Sequence, residues 1–198
     1  MVLRSRRLRA IAGSSLLVLA ACAAIPANNE RANERSSAGA RSVEGRLSVR
    51  YKDLASGKED ALSGRFEWTG RGDDVELILL DPLGQTVALI RSDPDHSSIT
   101  FRDGRKVEGA TPEALTQDTL GWTVPLRGLG SWLDGRAASG SAAVTLDDGR
   151  LRQDNWTIRF VREGESSKSP LPKRIDLFYP GPPAEIEMRL VIDRRNGA

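Results

Sequence analysis

Apolar and polar residues alternate one for one along most of this chain, and that period of two limits what it can fold into. Gly45 to Tyr51 places Leu47, Val49 and Tyr51 on one side and Arg46, Ser48 and Arg50 on the other. Leu62, Gly64, Phe66 and Trp68 alternate with Ser63, Arg65 and Glu67. The pattern returns at Ile99 and Phe101, at Val144 and Leu146, and at Trp156, Ile158 and Phe160. It returns again at Ile175, Leu177 and Tyr179 and from Ile186 to Ile192, with denser apolar runs at Val75–Leu80 and Thr86–Arg91. Successive side chains of a strand point to opposite faces, so these segments are predicted strands with one buried face. Asp103-Gly104 and Asp147-Asp148-Gly149 are turn signals between them. The chain therefore reads as mainly β, an antiparallel meander that closes toward a barrel or a curved half-barrel.

The middle departs from this period. Thr111-Pro112-Glu113 supplies a capping oxygen, a proline at the first helical position and an acid in the first turn. A helix is predicted from there to about Leu120, stopping at Gly121. A second runs from Leu126 to Leu133 and ends at Gly135, with Leu126, Leu129 and Trp132 or Leu133 sharing a face. Gly128 and Gly130 weaken it. Two short helices inserted in a sheet must place their apolar faces somewhere, and the concave side of the sheet makes them a lid.

The first residues have another character. Arg4, Arg6, Arg7 and Arg9 precede an apolar run, Ala10–Ala21, and then Cys22, the only cysteine. A basic start, a short apolar core and small residues before a break describe a secretory signal at residues 1–21. The run is too short for a membrane span, which needs roughly 20 apolar residues. Leu19-Ala20-Ala21-Cys22 resembles a lipobox, which implies that the Cys22 thiol is acylated and the peptide cut before it. Ala23 follows where an aspartate would mark inner-membrane retention, so the expected site is the outer membrane, facing the periplasm. Residues 22–42 are poor in large apolar side chains and read as the lipidated cysteine and its tether, with a short helix near Asn29–Ser36. Residues 43–198 form the predicted domain. A lone cysteine allows no internal disulfide.

Charge and chemistry narrow the function. The formal charge is +2, but the signal carries four of the 29 basic residues and none of the 27 acids, leaving 25 against 27, or −2. Nucleic-acid binding needs a concentrated basic face, which this balance does not favour. His96 is the single histidine and lies in a polar loop, so no multi-histidine metal site can form. Ser97 and Ser98 beside it lack a nucleophile elbow, and no phosphate-binding glycine motif occurs. The reading is a non-enzyme with no cofactor and no metal.

One connection has the wrong polarity for a turn. Asp81-Pro82-Leu83-Gly84 joins two apolar runs and carries a leucine at its tip. Leu83 either folds back on the core or stands out to enter a membrane or partner.

At this point the sequence resembles the LolB family of outer-membrane lipoprotein receptors. The matching pieces run in order from residue 41 to 193: Gly45-Arg46-Leu47-Ser48-Val49, Phe66-Glu67-Trp68, and Leu77 through Thr86 around Asp81-Pro82-Leu83-Gly84. Further on come Leu120-Gly121-Trp122-Thr123-Val124-Pro125-Leu126, Leu129 through Gly135, Gln153-Asp154-Asn155-Trp156, Leu171-Pro172 and Arg189 through Asp193. Arg194-Arg195 and the glycines of the second helix depart from the family pattern. The resemblance implies an incomplete, unclosed antiparallel barrel whose short helices lid an apolar cavity. It implies a monomeric receptor that takes acylated lipoproteins from a LolA-like periplasmic carrier and inserts them into the outer membrane. Leu83, with Pro82 and Gly84, becomes the membrane-insertion loop. Alternation nominates Leu47, Val49, Phe66, Trp68, Leu77, Leu79, Trp156 and Ile158 as cavity wall, with Leu115, Trp132 and Leu133 from the lid. Another lipid-binding lipoprotein on the same scaffold, or an envelope hydrolase, are the competing readings.

Overall fold

Long alternating segments became long strands. In the computed structural model, which describes residues 40–120, 124, 126–164 and 170–197, β1 (Arg41–Asp53), β2 (Glu59–Arg71) and β11 (Ala184–Asn196) each span 13 residues. Between them lie β3 (Asp74–Leu80), β4 (Thr86–Ser92), β5 (Ser97–Phe101) and β6 (Lys106–Gly109). Then come α1 (Pro112–Leu120), α2 (Leu126–Leu133), β7 (Ala143–Thr145), β8 (Leu151–Gln153), β9 (Trp156–Val161) and β10 (Arg174–Tyr179). Cys22, the signal and the Asn29–Ser36 segment lie outside the described residues. β1 starts at Arg41, so Arg41 and Ser42 are ladder residues facing Gly70 and Thr69 of β2.

Every strand pairs antiparallel with its sequence neighbour except across the helices, and β1 also pairs with β11. The order is β6-β5-β4-β3-β2-β1-β11-β10-β9-β8-β7, an unclosed sheet of eleven strands among the described residues, with β6 and β7 as its edges. The inner face is apolar in registered rows. Trp68 faces Leu77, Leu77 faces Ile90, and Ile90 faces Ile99, all of them buried. On the other half Ile158 faces Leu177. Such cross-strand pairs are the unit of sheet stability.

Both helices sit where their caps predict. The Thr111 hydroxyl accepts the Ala114 amide at 3.2 Å, with Pro112 in the first turn. The buried Thr116 hydroxyl donates to the Pro112 carbonyl and accepts the Val124 amide, each at 2.9 Å, tying α1 to the start of α2. Gly135, at φ +74, closes α2: its amide donates to the Trp132 carbonyl and the Arg136 amide to that of Ser131. That is the paired 5→2 and 6→1 arrangement of a Schellman end. Asp134, just past α2, pairs with Arg41 and with Arg136. The Arg41 guanidinium in turn lies 5.6 Å from the Trp68 ring centroid. Arg195 donates to the Pro172 carbonyl at 2.7 Å and Arg194 pairs with Glu44, so both departures from the family pattern are satisfied locally.

The glycines of α2 have a packing reason. A Cβ on Gly130 would lie 2.6 Å from Cζ2 of Trp68, so the helix rests its backbone directly on the indole. Glycine in a helix normally costs about 1 kcal/mol against alanine, yet here alanine must displace a buried ring. Gly130→Ala is therefore expected to destabilise the fold by about 1–3 kcal/mol, read by urea denaturation. A gain in stability would show that α2 does not depend on this approach.

Candidate functional site

The concave face is filled at one end and hollow at the other. A cavity of about 500 Å³ lies against β1–β5, β10 and β11, with Val124 and Leu129 reaching it from the helical connection. Of the residues nominated by alternation, Leu47, Val49, Phe66, Leu77 and Leu79 line it. Trp68, Leu115, Trp132, Leu133, Trp156 and Ile158 do not; all six are buried in the packed core. The physical reason is that each is already occupied. Trp68 is covered by Gly130. The Trp132 indole donates to Gln153 Oε1 at 2.9 Å, and Trp156 tilts against Tyr179 with centroids 5.3 Å apart. Aromatic rings of this size consume the volume of one end.

The hollow end is lined by smaller and more flexible side chains that the nominations missed: Leu62, Leu80, Val87, Met188 and Leu190. Leu62 shares the parity of Phe66 and Trp68, so alternation alone places it inward. Its 55% exposure marks it as part of a mouth. The mouth exists because β3 ends at Leu80 opposite Arg65, while β2 continues to Glu59. Residues 59–64 of β2 thus overhang without a partner on the β3 side. Val87 has no period-two signal. A bulge pairs Leu79 with Ala88 but Leu80 with Thr86, leaving Val87 as the extra residue on β4.

Leu83 stands beside this mouth and is 84% exposed. Its loop is tightly held. The Gly84 amide donates to the Asp81 carbonyl and the Asp81 amide to that of Gln85, each at 2.9 Å. Gly84 lies at φ +84, completing a three-residue hairpin loop with a left-handed final residue. One carboxylate oxygen of Asp81 accepts the Leu83 and Gln85 amides at 2.9 Å, and the other accepts Arg102 Nη2 at 2.6 Å. Arg102 also donates from Nε to the Thr86 carbonyl at 3.1 Å. These bonds, the Gln85 amide first and Arg102 next, hold the Asp81 carboxyl below its ordinary value. Leu83 is therefore presented on a preformed turn, with Pro82 fixing the first corner.

His96 sits between β4 and β5. Its amide donates to Asp93 at 2.8 Å and its Nε2 lies 3.8 Å from Glu108. The neighbouring Ser97 hydroxyl is buried 3.1 Å from that of Ser92. Among the described residues no group of three metal-ligating side chains converges.

An open antiparallel sheet round an apolar hollow, reached by Val124 and Leu129 of the helical connection and rimmed by a presented leucine, is the architecture of a carrier for greasy ligands. Residues 40–194 match the family described as "Outer membrane lipoprotein LolB". An outer-membrane lipoprotein LolB of Cupriavidus pinatubonensis is 35% identical over 201 residues, covering 96% of this chain and 95% of its own. One from Bordetella petrii is 35% identical over 158 residues, covering 77% of each. A solved LolA superfamily protein of Nitrosomonas europaea aligns with a TM-score of 0.42 at 10% identity, over 79% of this chain and 86% of its own. The chain belongs to the LolB family.

If Asp81 orders the loop, Asp81→Ala should raise amide exchange at Leu83 and Gln85 severalfold while leaving exchange in β1 and β11 unchanged. The wild type should show the same loosening in acid. A carboxyl depressed in the folded state contributes order above its unfolded pKa and loses it as pH falls through the depressed value. Uniform protection of the loop down to the acid unfolding transition would sink this account.

Proposed function

We propose that this chain, an outer-membrane lipoprotein of the lipoprotein-localisation pathway, takes acylated lipoproteins from a periplasmic carrier of the LolA kind and inserts them into the outer membrane as a monomer. Family membership supports the receptor role. The observation that carries the mechanism is the position of the apolar mouth beside Leu83.

Each acyl methylene left in water costs about 0.8 kcal/mol, so cargo must never be uncovered between hosts. At roughly 30 Å³ for a water-sized group, a cavity of about 500 Å³ has room for one long chain. Further chains require the mouth or α2 to yield, and the aliphatic end can yield more easily than the tryptophan-filled one. With no nucleotide motif in the sequence, transfer runs downhill, from carrier to cavity to bilayer. Cys22 supplies the anchor, and two or more acyl chains hold a protein on a membrane almost permanently. Leu83 then enters the bilayer and brings the mouth to it. Its burial contributes about 1.5–3 kcal/mol, enough to orient a domain that is already tethered. No catalytic step is required of His96 or of the serines beside it.

The test uses the lipidated protein in vesicles and a labelled lipoprotein supplied on purified carrier. Wild type should take up cargo and deliver it. Leu83→Glu should take up cargo normally and lose delivery by at least about tenfold, the factor set by 1.4 kcal/mol. Loss of uptake in that variant would assign Leu83 to the cavity instead. Failure of the wild type to take cargo from the carrier would reject the receptor role.

A further inference from the structure

The outer face of the same sheet has a second concavity, of about 530 Å³, spread across β1, β2, β9, β10 and β11. Its lining contains four arginines, Arg50, Arg150, Arg159 and Arg189, against two acids, Asp176 and Glu187. The acids neutralise it only in part, because Asp176 is shared with Arg174 at 3.2 Å and Asp148 lies between two arginines. Arg189 Nε donates to Asp176 at 2.9 Å and Arg50 Nη1 to Glu187 at 3.3 Å. Arg150 turns to Asp148 at 2.6 Å, and the Arg159 charge falls on that same carboxylate, already held low by Arg150. More donors than acceptors therefore face the groove, and each guanidinium offers five N–H groups.

The basic face continues toward the loop. Arg46 and Arg65 stand directly opposite each other on β1 and β2, and Arg65 also faces Leu80 at the base of the Leu83 hairpin. Like charges directly opposite on adjacent strands are destabilising. Arg46 is partnered by Asp193 at 3.1 Å. This concentration occurs in a chain whose charge without residues 1–21 is −2 (25 basic, 27 acidic).

The groove is not purely polar. It shares Ala61, Leu62 and Ser63 of the β2 overhang with the acyl cavity, and also Val49, Leu177 and Met188 of β1, β10 and β11, so an arginine wall and an apolar mouth adjoin along one edge of the hollow. An acidic peptide or a nucleic acid would use only the first. A molecule with an anionic head and apolar tails matches both. We infer that the arginine groove seats the phosphate headgroups of anionic phospholipids and thereby sets the domain on the bilayer with its mouth and Leu83 facing the lipid. Arginine suits this role because its planar fork grips phosphate oxygens in pairs. The inference rests on the membrane-facing role proposed for Leu83 and adds the surface that fixes the angle of approach.

The test uses the lipidated full protein in phosphatidylcholine vesicles doped with a headgroup-photoactivatable phosphatidylglycerol or, separately, a phosphatidylcholine probe. Labelled peptides are mapped by mass spectrometry. The phosphatidylglycerol probe should label β1 and β9–β11 several times more than the phosphatidylcholine probe, and 0.5 M salt should reduce the difference. R50Q and R159Q should each lower that labelling about fivefold, the factor for one basic residue at an anionic surface. R50K/R159K should retain most of it, which separates charge from folding. Equal labelling by the two probes, or labelling unchanged in R50Q/R159Q, overturns the inference. Uptake of cargo from carrier, measured in the same vesicles, reports separately on the receptor role.

Discussion

The pairing of the first strand with the last governs the rest of the architecture. Residues 42–53 of β1 run antiparallel to β11 from Asn196 back to Ala184, joining two meanders into one sheet. Once that seam exists, β6 and β7 become opposite edges, although only the helical connection separates them in sequence. The chain between them must cross from edge to edge. The concave side offers the short route, and the crossing segment carries α1 and α2 over it. The lid is thus a consequence of topology. Its seating is a matter of local chemistry: the Thr116 hydroxyl at one end of the crossing, and Gln153 at the other. Gln153 accepts from Trp132 and Ala138, and its amide donates to the Ala138 and Ser141 carbonyls.

The same crossing explains why the interior is uneven. α2 sets its own Trp132 over the part of the sheet that holds Trp68 and Trp156, where backbone, rings and hydrogen bonds fill the space. Interiors packed in this way resist deformation. Beyond the helix the inner face continues on β1–β5, β10 and β11 with only Val124 and Leu129 reaching it, and there the side chains are mostly aliphatic. A filled half gives the domain a fixed shape. The unfilled half is where the proposed cargo chain would complete the packing.

Much of this was legible in the sequence because the buried face of a strand announces itself by period. Seven inner residues of each 13-residue strand, both helices and the turn at Asp103-Gly104 follow from residue pattern; the strand ends, Arg41 and Ser42 among them, do not. Nor do β6 and β8. Lys106–Gly109 has one apolar residue, Val107, and Leu151–Gln153 places a glutamine where an apolar residue would be expected inside. Gln153 is buried because its hydrogen bonds are satisfied, and nothing in its spacing reports that. Wall and core were also indistinguishable. Leu47 and Ile158 both take the inward position of their strand's alternation, and only the placement of α2 decides which one meets empty space. The glycines of α2 read as a weakness of the helix until Trp68 is seen beneath Gly130. Leu83 was the reverse case: its polarity singled it out in its turn, but the residues alone left open whether it folds back or stands out, and its 84% exposure is what the structure adds.

A leucine held on a rigid turn has a thermodynamic use that a leucine on a floppy loop lacks. Ordering a flexible segment on insertion would consume about 1–2 kcal/mol per residue, comparable to all that one leucine gains from lipid. Here Asp81 has already fixed the loop in water, using both carboxylate oxygens, so in the proposed role the gain on insertion would not be cancelled. In the proposed role the gain remains too small to hold a domain alone. A covalent anchor changes the comparison, because it keeps the domain at high effective concentration beside the bilayer. Under that confinement a small apolar contribution need only choose among orientations. A single side chain suffices for this, provided its direction is set before contact, which is what the Asp81 turn does.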